Sequence, residues 1–147
     1  MTLRGLRSLL DVNVVVALLD RDHIHHDLAR AWLEREIRHG WASCAITQNG
    51  VVRVMSQPRY PNRVTTAEAA DLLAAATRSR HHSYWPCDVS LLDDEAIDRS
   101  HLHGPGQVTD VYLLALATSK GGRFVTFDGA VPLDSVRGAR ASSLVVL

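Results

Sequence analysis

The chain has 147 residues, a length suited to one domain with a sizeable core. Its 46% hydrophobic and 22% charged residues are ordinary for a soluble globular protein, and no apolar run approaches the roughly 20 residues needed to cross a bilayer. The net charge of zero, with His neutral, excludes global electrostatic steering toward nucleic acid or membrane. Lys120 is the only lysine, so nearly all positive charge is arginine, whose planar fork suits phosphate and carboxylate. The stretch 1–8 is basic, but Asp11 cuts the apolar run behind it, so no signal peptide is expected. Cys44 and Cys87 lack zinc-type spacing and are expected to be free thiols in a reducing cytoplasm.

The first element is an apolar strand rising to Asp11. An apolar helix follows at once, with Asn13 as its expected N-cap and Val14 as its first residue. A carboxylate at the tip of a buried strand costs free energy unless a cation or hydrogen-bond donors meet it. In open α/β sheets ligands bind at the carboxyl ends of the strands, which is where Asp11 would stand. Capping of the following turn is the other reading of the same residue.

Asp20–Asp22 reads as a polar break. Ile24, Leu28, Ala31 and Trp32 recur at helical spacing, and this second helix runs to about His39 before Gly40 stops it. Trp41–Ile46 is the second predicted strand. Thr47 then caps a helix over Gln48–Met55 with Val51, Val52, Val54 and Met55 toward the core. Gln57–Arg63 is a loop, because neither of its prolines suits an element interior. Thr65 and Glu68 form a capping box for a helix reaching about Arg80. The small residues Ala69, Ala70, Ala74, Ala75 and Ala76 give it a face for close packing.

Ser83–Trp85 reads as a short strand stopped by Pro86. Leu91–Leu102 is weakly helical, with Leu92, Ala96 and Ile97 as its buried positions, and Gly104–Gly106 is a loop. Thr109 is the expected N-cap of an apolar helix over Val111–Lys120, with Asp110 in its first turn and Gly121-Gly122 closing it. Arg123–Phe127 is a strand ending at Asp128, and Ser143–Leu147 is the last one. Strands alternating with helices predict a mostly parallel sheet, helices on both faces and right-handed crossovers.

Asp11 and Asp128 end strands while Asp110 begins a helix, all at loops that open on one rim in such a topology. Three carboxylates there repel one another unless a divalent cation sits between them. Oxygen-only donors from separate elements favour Mg²⁺ or Mn²⁺ over zinc. Asn13, Thr109 and Thr126 are candidates to fix the carboxylate rotamers from behind.

With these motifs in order, the chain resembles the PIN-domain ribonucleases of the VapC toxin kind over nearly its whole length. Leu9–Leu18 is similar to the family's opening strand with its first acid, Asp11. Gln48–Pro61 resembles the stretch that normally begins with a Glu, Val108–Ala117 the motif carrying Asp110, and Phe124–Asp128 the last motif. The resemblance implies one PIN domain over 1–147, a three-layer α/β/α fold. It also implies a cytoplasmic metal-dependent endoribonuclease that cleaves structured RNA such as tRNA or rRNA. A VapB-like antitoxin would hold it inactive, and a homodimer is expected, with the apolar Val51–Met55 segment beside the proline loop as a candidate surface.

One position departs from the family pattern: Gln48 stands where the Glu is usual. An amide can still ligate through oxygen, but losing one anion beside a divalent ion forfeits a few kcal/mol of gross attraction at an effective dielectric of about 20. The alternative reading is therefore a PIN-fold module that binds RNA and antitoxin but cleaves poorly. A two-component receiver domain is disfavoured, since Asp11 stands without an acidic neighbour and Lys120 ends a helix rather than a strand. Arg53, Arg59 and Arg63 are candidate RNA contacts outside the acidic rim, as are Arg78, Arg80, His81 and His82. The histidines at 23, 25, 26, 101 and 103 are expected in exposed loops. Trp32, Trp41 and Trp85 are expected in the core or a dimer surface rather than as base-stacking platforms.

Overall fold

Side chains that alternate between two apolar layers decide this fold, and they do so along strands of only three or four residues. The computed structural model describes residues 5–147. The strands β1 (Ser8–Leu10), β2 (Trp41–Ser43), β3 (His82–Tyr84), β4 (Arg123–Thr126) and β5 (Leu144–Val146) form one sheet in the order β3-β2-β1-β4-β5, all parallel. The α-helices are α1 (Val12–Leu19), α2 (His26–Glu36), α3 (Ala45–Met55), α4 (Thr66–Thr77) and α5 (Val108–Ser119).

Leu9, Ala42 and Phe124 point to one face of the sheet, where they pack with Val111, Leu113 and Leu114 of α5. Leu10, Trp41 and Val125 point to the other, against Val14 and Val15 of α1, Trp32 of α2, Val51 of α3 and Leu73 of α4. Successive residues thus serve opposite layers, as the period of a strand requires. The α/β architecture with helices on both faces is the one the sequence predicts. Among the described residues no helix is long and apolar enough to cross a membrane. The basic stretch 1–8 lies partly outside the described residues.

The chain steps outward from β1 through α1 and α2 to β2, and through α3 and α4 to β3. It then returns over the opposite face through α5 to place β4 on the other side of β1. The strand order therefore reverses between β1 and β4, which opens a crevice at their carboxyl ends. Gly40 fixes the entry to β2. Its φ of 81° suits a residue without a Cβ, and an added Cβ would meet the Arg7 guanidinium at 2.4 Å. That guanidinium bridges the ends of two strands by donating to the carbonyls of Trp41 at 3.1 Å and His81 at 2.8 Å.

Several local expectations are corrected. Asp11, not Asn13, caps α1, which starts two residues earlier than predicted. Ile24 falls outside α2 and is 88% exposed, because the turns after Asp20 take it off the helical register. The second strand stops at Ser43 and α3 begins at Ala45, so Thr47 lies inside the first turn. Its hydroxyl accepts the Cys44 N–H at 3.0 Å and donates to the Cys44 carbonyl at 3.1 Å. Thr65 does cap α4, but the helix ends at Thr77 and, of its alanine face, only Ala69 is buried. The stretch 91–102 forms turns and a short 3-10 segment (Arg99–His101) rather than a helix, leaving Leu92 68% exposed while Ile97 is buried. The Gly104–Gly106 loop runs into a 3-10 turn (Pro105–Gln107), and α5 starts at Val108 with Thr109 already inside it. His26 is buried, with Nδ1 2.7 Å from the Ala17 carbonyl, instead of lying in an exposed loop. Trp32 and Trp41 are buried in the core, as expected.

Phe124 is fully buried between the sheet and α5. Phe124→Ala is expected to lower the unfolding free energy by about 3–5 kcal/mol. Denaturant titration followed by circular dichroism checks this, and a loss below about 1 kcal/mol would show that the layer repacks freely.

Candidate active site

The site begins with the hydroxyl of one residue. Thr126 ends β4 fully buried, and its Oγ1 donates to Asp11 Oδ2 at 2.8 Å while accepting the Asp128 backbone N–H at 3.1 Å. Asp11 Oδ1 accepts the Val12 N–H at 2.8 Å, and the Asp11 N–H donates to the Val125 carbonyl at 2.9 Å. Both readings of Asp11 therefore hold: it caps α1 and it stands in the crevice between β1 and β4. Asp128 is exposed, and its Oδ1 accepts the Ala130 N–H at 2.8 Å in a tight turn.

Asp110 arrives from the other layer. The Gly121-Gly122 turn sends α5 back along β4, so the first turn of α5 stands at the carboxyl rim of the sheet. Burial raises the Asp110 pKa to about 6, with repulsion from Asp11 and then Asp128 adding to it. Burial likewise raises that of Asp11. The bonds from Thr126 and Val12 oppose the rise, and Asp128 reinforces it. The three predicted carboxylates are thus near enough to sense one another. Among the described residues none of them forms a salt bridge with a basic side chain. Nor, among those residues, do three or more His, Cys, Asp or Glu side chains close into a ready ligand cage. The rim is anionic and oxygen-only and, among the described residues, lacks a counter-charge, a donor set that fits a hard divalent cation.

The remaining predicted residues occupy varied places. Asn13 and Thr109 are exposed in the first turns of α1 and α5. Gln48 lies in the first half of α3, where Nε2 donates to Ser43 Oγ at 3.0 Å, and it forms no hydrogen bond to the three acids. Ser43 Oγ is in turn 2.7 Å from His82 Nε2. A hydroxyl donates once and accepts twice, so Ser43 can accept from the amide and give its proton to Nε2 of a neutral His82. Burial, then the nearby Arg7, lowers the His82 pKa and favours that form, although the Thr77 carbonyl opposes them. Arg53, Arg59 and Arg63 are exposed, and Arg63 Nε donates to the Ser56 carbonyl at 3.1 Å. Arg78 and Arg80 are exposed, while His81 is half-buried.

Two contacts near these residues escape sequence reasoning. The exposed His25 ring faces Phe127, next to Asp128, with centroids 4.9 Å apart. Asp20, buried at the end of α1, accepts hydrogen bonds from Tyr60 Oη and from Asn62 Nδ2 at 2.9 Å, anchoring the proline loop. Burial alone would raise the Asp20 pKa, but these donors, with the Asp22 N–H, bring it below the usual range. The Tyr60 and Asn62 amides and hydroxyls inside a proline loop were the available signal for the second contact. Nothing in the sequence marks the first.

A parallel sheet with carboxylates at its switch point places the chain among α/β proteins that work at an acidic rim. The PIN domain pattern matches residues 8–137, and the chain belongs to that family, within its VapC-type ribonucleases. It is 61% identical over 142 residues to Ribonuclease VapC44 of Mycobacterium tuberculosis, covering 97% of this chain and all of that protein. Ribonuclease VapC39 of the same organism is 43% identical over 84% of this chain and 90% of its own. Among solved structures, Mycobacterium tuberculosis VapC20, a sarcin-ricin loop cleaving toxin, superposes with a TM-score of 0.60 at 16% identity, covering 84% of this chain and 91% of that one. VapBC2 from Rickettsia felis, bound to a DNA fragment from its promoter, superposes at 0.56 and 14%, covering 82% and 87%.

Asp110 carries a pH signature. Its folded pKa lies above the unfolded value of 3.8, so between pH 4 and about 6 the native state holds more protons than the unfolded one. The Asp110 contribution to stability in chelator is then greatest at low pH and declines as pH rises through that window. Asp110→Asn removes this contribution. The variant is expected to melt close to wild type near pH 4 and above it at pH 7, and parallel melting curves would contradict the assignment.

Proposed function

We propose that this chain is a divalent-metal-dependent endoribonuclease toxin that cleaves structured RNA. The observation that carries the reading is the trio of Asp11, Asp110 and Asp128 at one rim, mutually repelling and without a basic partner. The ribonuclease names of its relatives point the same way.

In this reading Asp11 and Asp110 would hold Mg²⁺ or Mn²⁺, with Asp128 beside them to support the cation or orient water. The bound cation supplies a water of lowered pKa and charge neutralisation at the phosphate. Thr126 keeps the Asp11 carboxylate in one rotamer and the Asp128 backbone beside it. Asp110 would have to be ionised to hold the cation, so affinity would rise with pH through its titration range. The N-termini of α1 and α5 favour the ionised carboxylates. Asn13 and Thr109, exposed in those first turns, make no hydrogen bond to the three acids, so of the expected positioning residues Thr126 carries the role. Arg53, Arg59 and Arg63 take up RNA phosphates.

A small VapB-like antitoxin is the proposed partner, and a cation in its docking segment would complement the acidic rim. Support comes from the superposed VapBC2 assembly. A homodimer is proposed as well, on family resemblance. The competing reading, a binding module with attenuated cleavage, draws on Gln48, whose neutral amide is engaged by Ser43.

Asp11→Asn and Asp110→Asn are expected to abolish Mn²⁺-supported cleavage of labelled RNA while the metal-free proteins melt no lower than wild type. Chelator should silence the wild type equally. Full activity in either variant removes that carboxylate from the mechanism, and activity in chelator removes the metal.

Gln48→Glu separates the two readings. A carboxylate at position 48 adds an anion near the rim, so calorimetry should show tighter Mg²⁺ and Mn²⁺ binding. It also cannot donate to Ser43; with the Ser43 proton given to the new carboxylate, His82 Nε2 must supply the proton of its bond to Ser43, either as the other neutral tautomer, which forfeits the bond to the Thr77 carbonyl, or as imidazolium. The variant is therefore expected to melt below wild type at pH 8 and to approach it as pH falls through the histidine range. Unchanged metal affinity would place position 48 outside the ligand set.

A further inference from the structure

The two cysteines, 43 positions apart in the chain, meet at the end of the sheet. Ser43 pairs with Tyr84, and the Trp85 N–H donates to the Ser43 carbonyl at 2.8 Å. Cys44 leaves β2 directly after that pair. Pro86 has no N–H to continue the ladder, so the chain turns there and Cys87 follows. The Cys87 thiol lies close enough to the Cys44 thiol and to the Tyr112 hydroxyl of α5 to push the pKa of both up. Cys44 and Cys87 lie one and three residues beyond the paired Ser43 and Tyr84, and neighbouring strands about 4.8 Å apart bring their ends to the scale of the Cα separations, about 4.4–6.8 Å, that a disulfide spans. The thiols differ in access: Cys44 is fully buried and Cys87 is exposed, and both are free.

We propose that Cys44 and Cys87 form a reversible intramolecular disulfide when the protein meets a peroxide. The exposed Cys87 sulfur attacks the peroxide. An S–O bond forms, the O–O bond breaks, and the other oxygen leaves as water or alcohol with the thiol proton. The Cys44 sulfur then attacks Cys87 sulfur and displaces the sulfenic hydroxyl, which departs as water with the Cys44 proton. Two thiols lose two electrons together and the peroxide gains them. Burial holds the Cys44 thiol above its ordinary pKa, which fits the order of events: Cys87 reacts first and Cys44 resolves. The product ties the N-cap of α3 to the segment after β3, closing a loop that contains α3, α4 and Gln48.

The test uses the full chain and hydrogen peroxide at one equivalent, followed by alkylation and mass spectrometry with and without reductant. The expected product is a monomer lighter by two hydrogens, with a Cys44–Cys87 cross-linked peptide that reductant removes. Its melting temperature should rise by about 5 °C or more and fall back on reduction. In Cys87→Ser, Cys44 should stay reduced. In Cys44→Ala, Cys87 should be trapped by dimedone as sulfenic acid. The melting curve of each reduced variant establishes that it is folded. Wild-type Cys87 ending as sulfinic acid with Cys44 still a thiol would overturn the proposal, as would a disulfide-linked dimer through Cys87. No readout here involves RNA, so the outcome is independent of the proposed cleavage activity.

Discussion

The Thr126 hydroxyl joins the ends of β1 and β4, and the rest of the site depends on that join. One oxygen donates to the Asp11 carboxylate and accepts the Asp128 N–H, so two acids on separate strands share a fixed reference point. It can do this because β1 and β4 are hydrogen-bonded neighbours, paired from Ser8 with Arg123 to Leu10 with Val125. That adjacency follows from the reversal of strand order. The reversal in turn requires the chain to cross the sheet through α5, which brings Asp110 to the same rim. The third acid is thus a consequence of the topology that pairs the first two.

Helix α1 carries a carboxylate at each end, and the two are treated oppositely. Asp11 sits at the N-terminal end, where the helix dipole favours an anion, yet its pKa is raised by burial and by Asp128. Asp20 sits at the C-terminal end, where the dipole disfavours an anion, yet its pKa is lowered by Tyr60, Asn62 and the Asp22 N–H. Local donors outweigh the dipole in the second case, and burial outweighs it in the first. Asp20 is a satisfied structural anion that holds the proline loop. Asp11 is left short of positive partners, the condition a cation-binding carboxylate needs.

The sheet and its layers were legible because strands of alternating apolar residues, glycine stops and apolar helices all pointed to one architecture. Asp11, Asp110 and Asp128 were legible because polar residues at element ends stand out against apolar runs. Helix starts were less so. Asn13, Thr47 and Thr109 are all good caps by residue type, yet Asp11, Cys44 and Gln107 hold the N-cap positions. In each case packing began the helix two or three residues earlier than local chemistry suggested. The stretch 91–102 failed differently: its apolar residues are too sparse for a helical face, and Ile97 is buried through a bridge to Val136. His25 against Phe127, and His82 against Ser43, join residues distant in sequence and left no local pattern to read.

The neutral amide of Gln48, where the sequence resemblance leads one to expect a Glu, is locally consistent with its neighbours. A Glu there must find donors, and Ser43 has only one proton to divide between position 48 and His82. Gln supplies its own proton, so a chain from Gln48 to Ser43 to a neutral His82 can run in one direction. Neutral His82 suits the crowding by Arg7, whose guanidinium is itself committed to the Trp41 and His81 carbonyls. Reversing the chain would cost His82 either its bond to the Thr77 carbonyl, as the other neutral tautomer, or a positive charge near that guanidinium, so the neutral amide at position 48 and the cation at position 7 are mutually consistent choices. The cost falls on the rim, which gains no fourth anion from α3, and leaves Asp11, Asp110 and Asp128 to supply the negative charge.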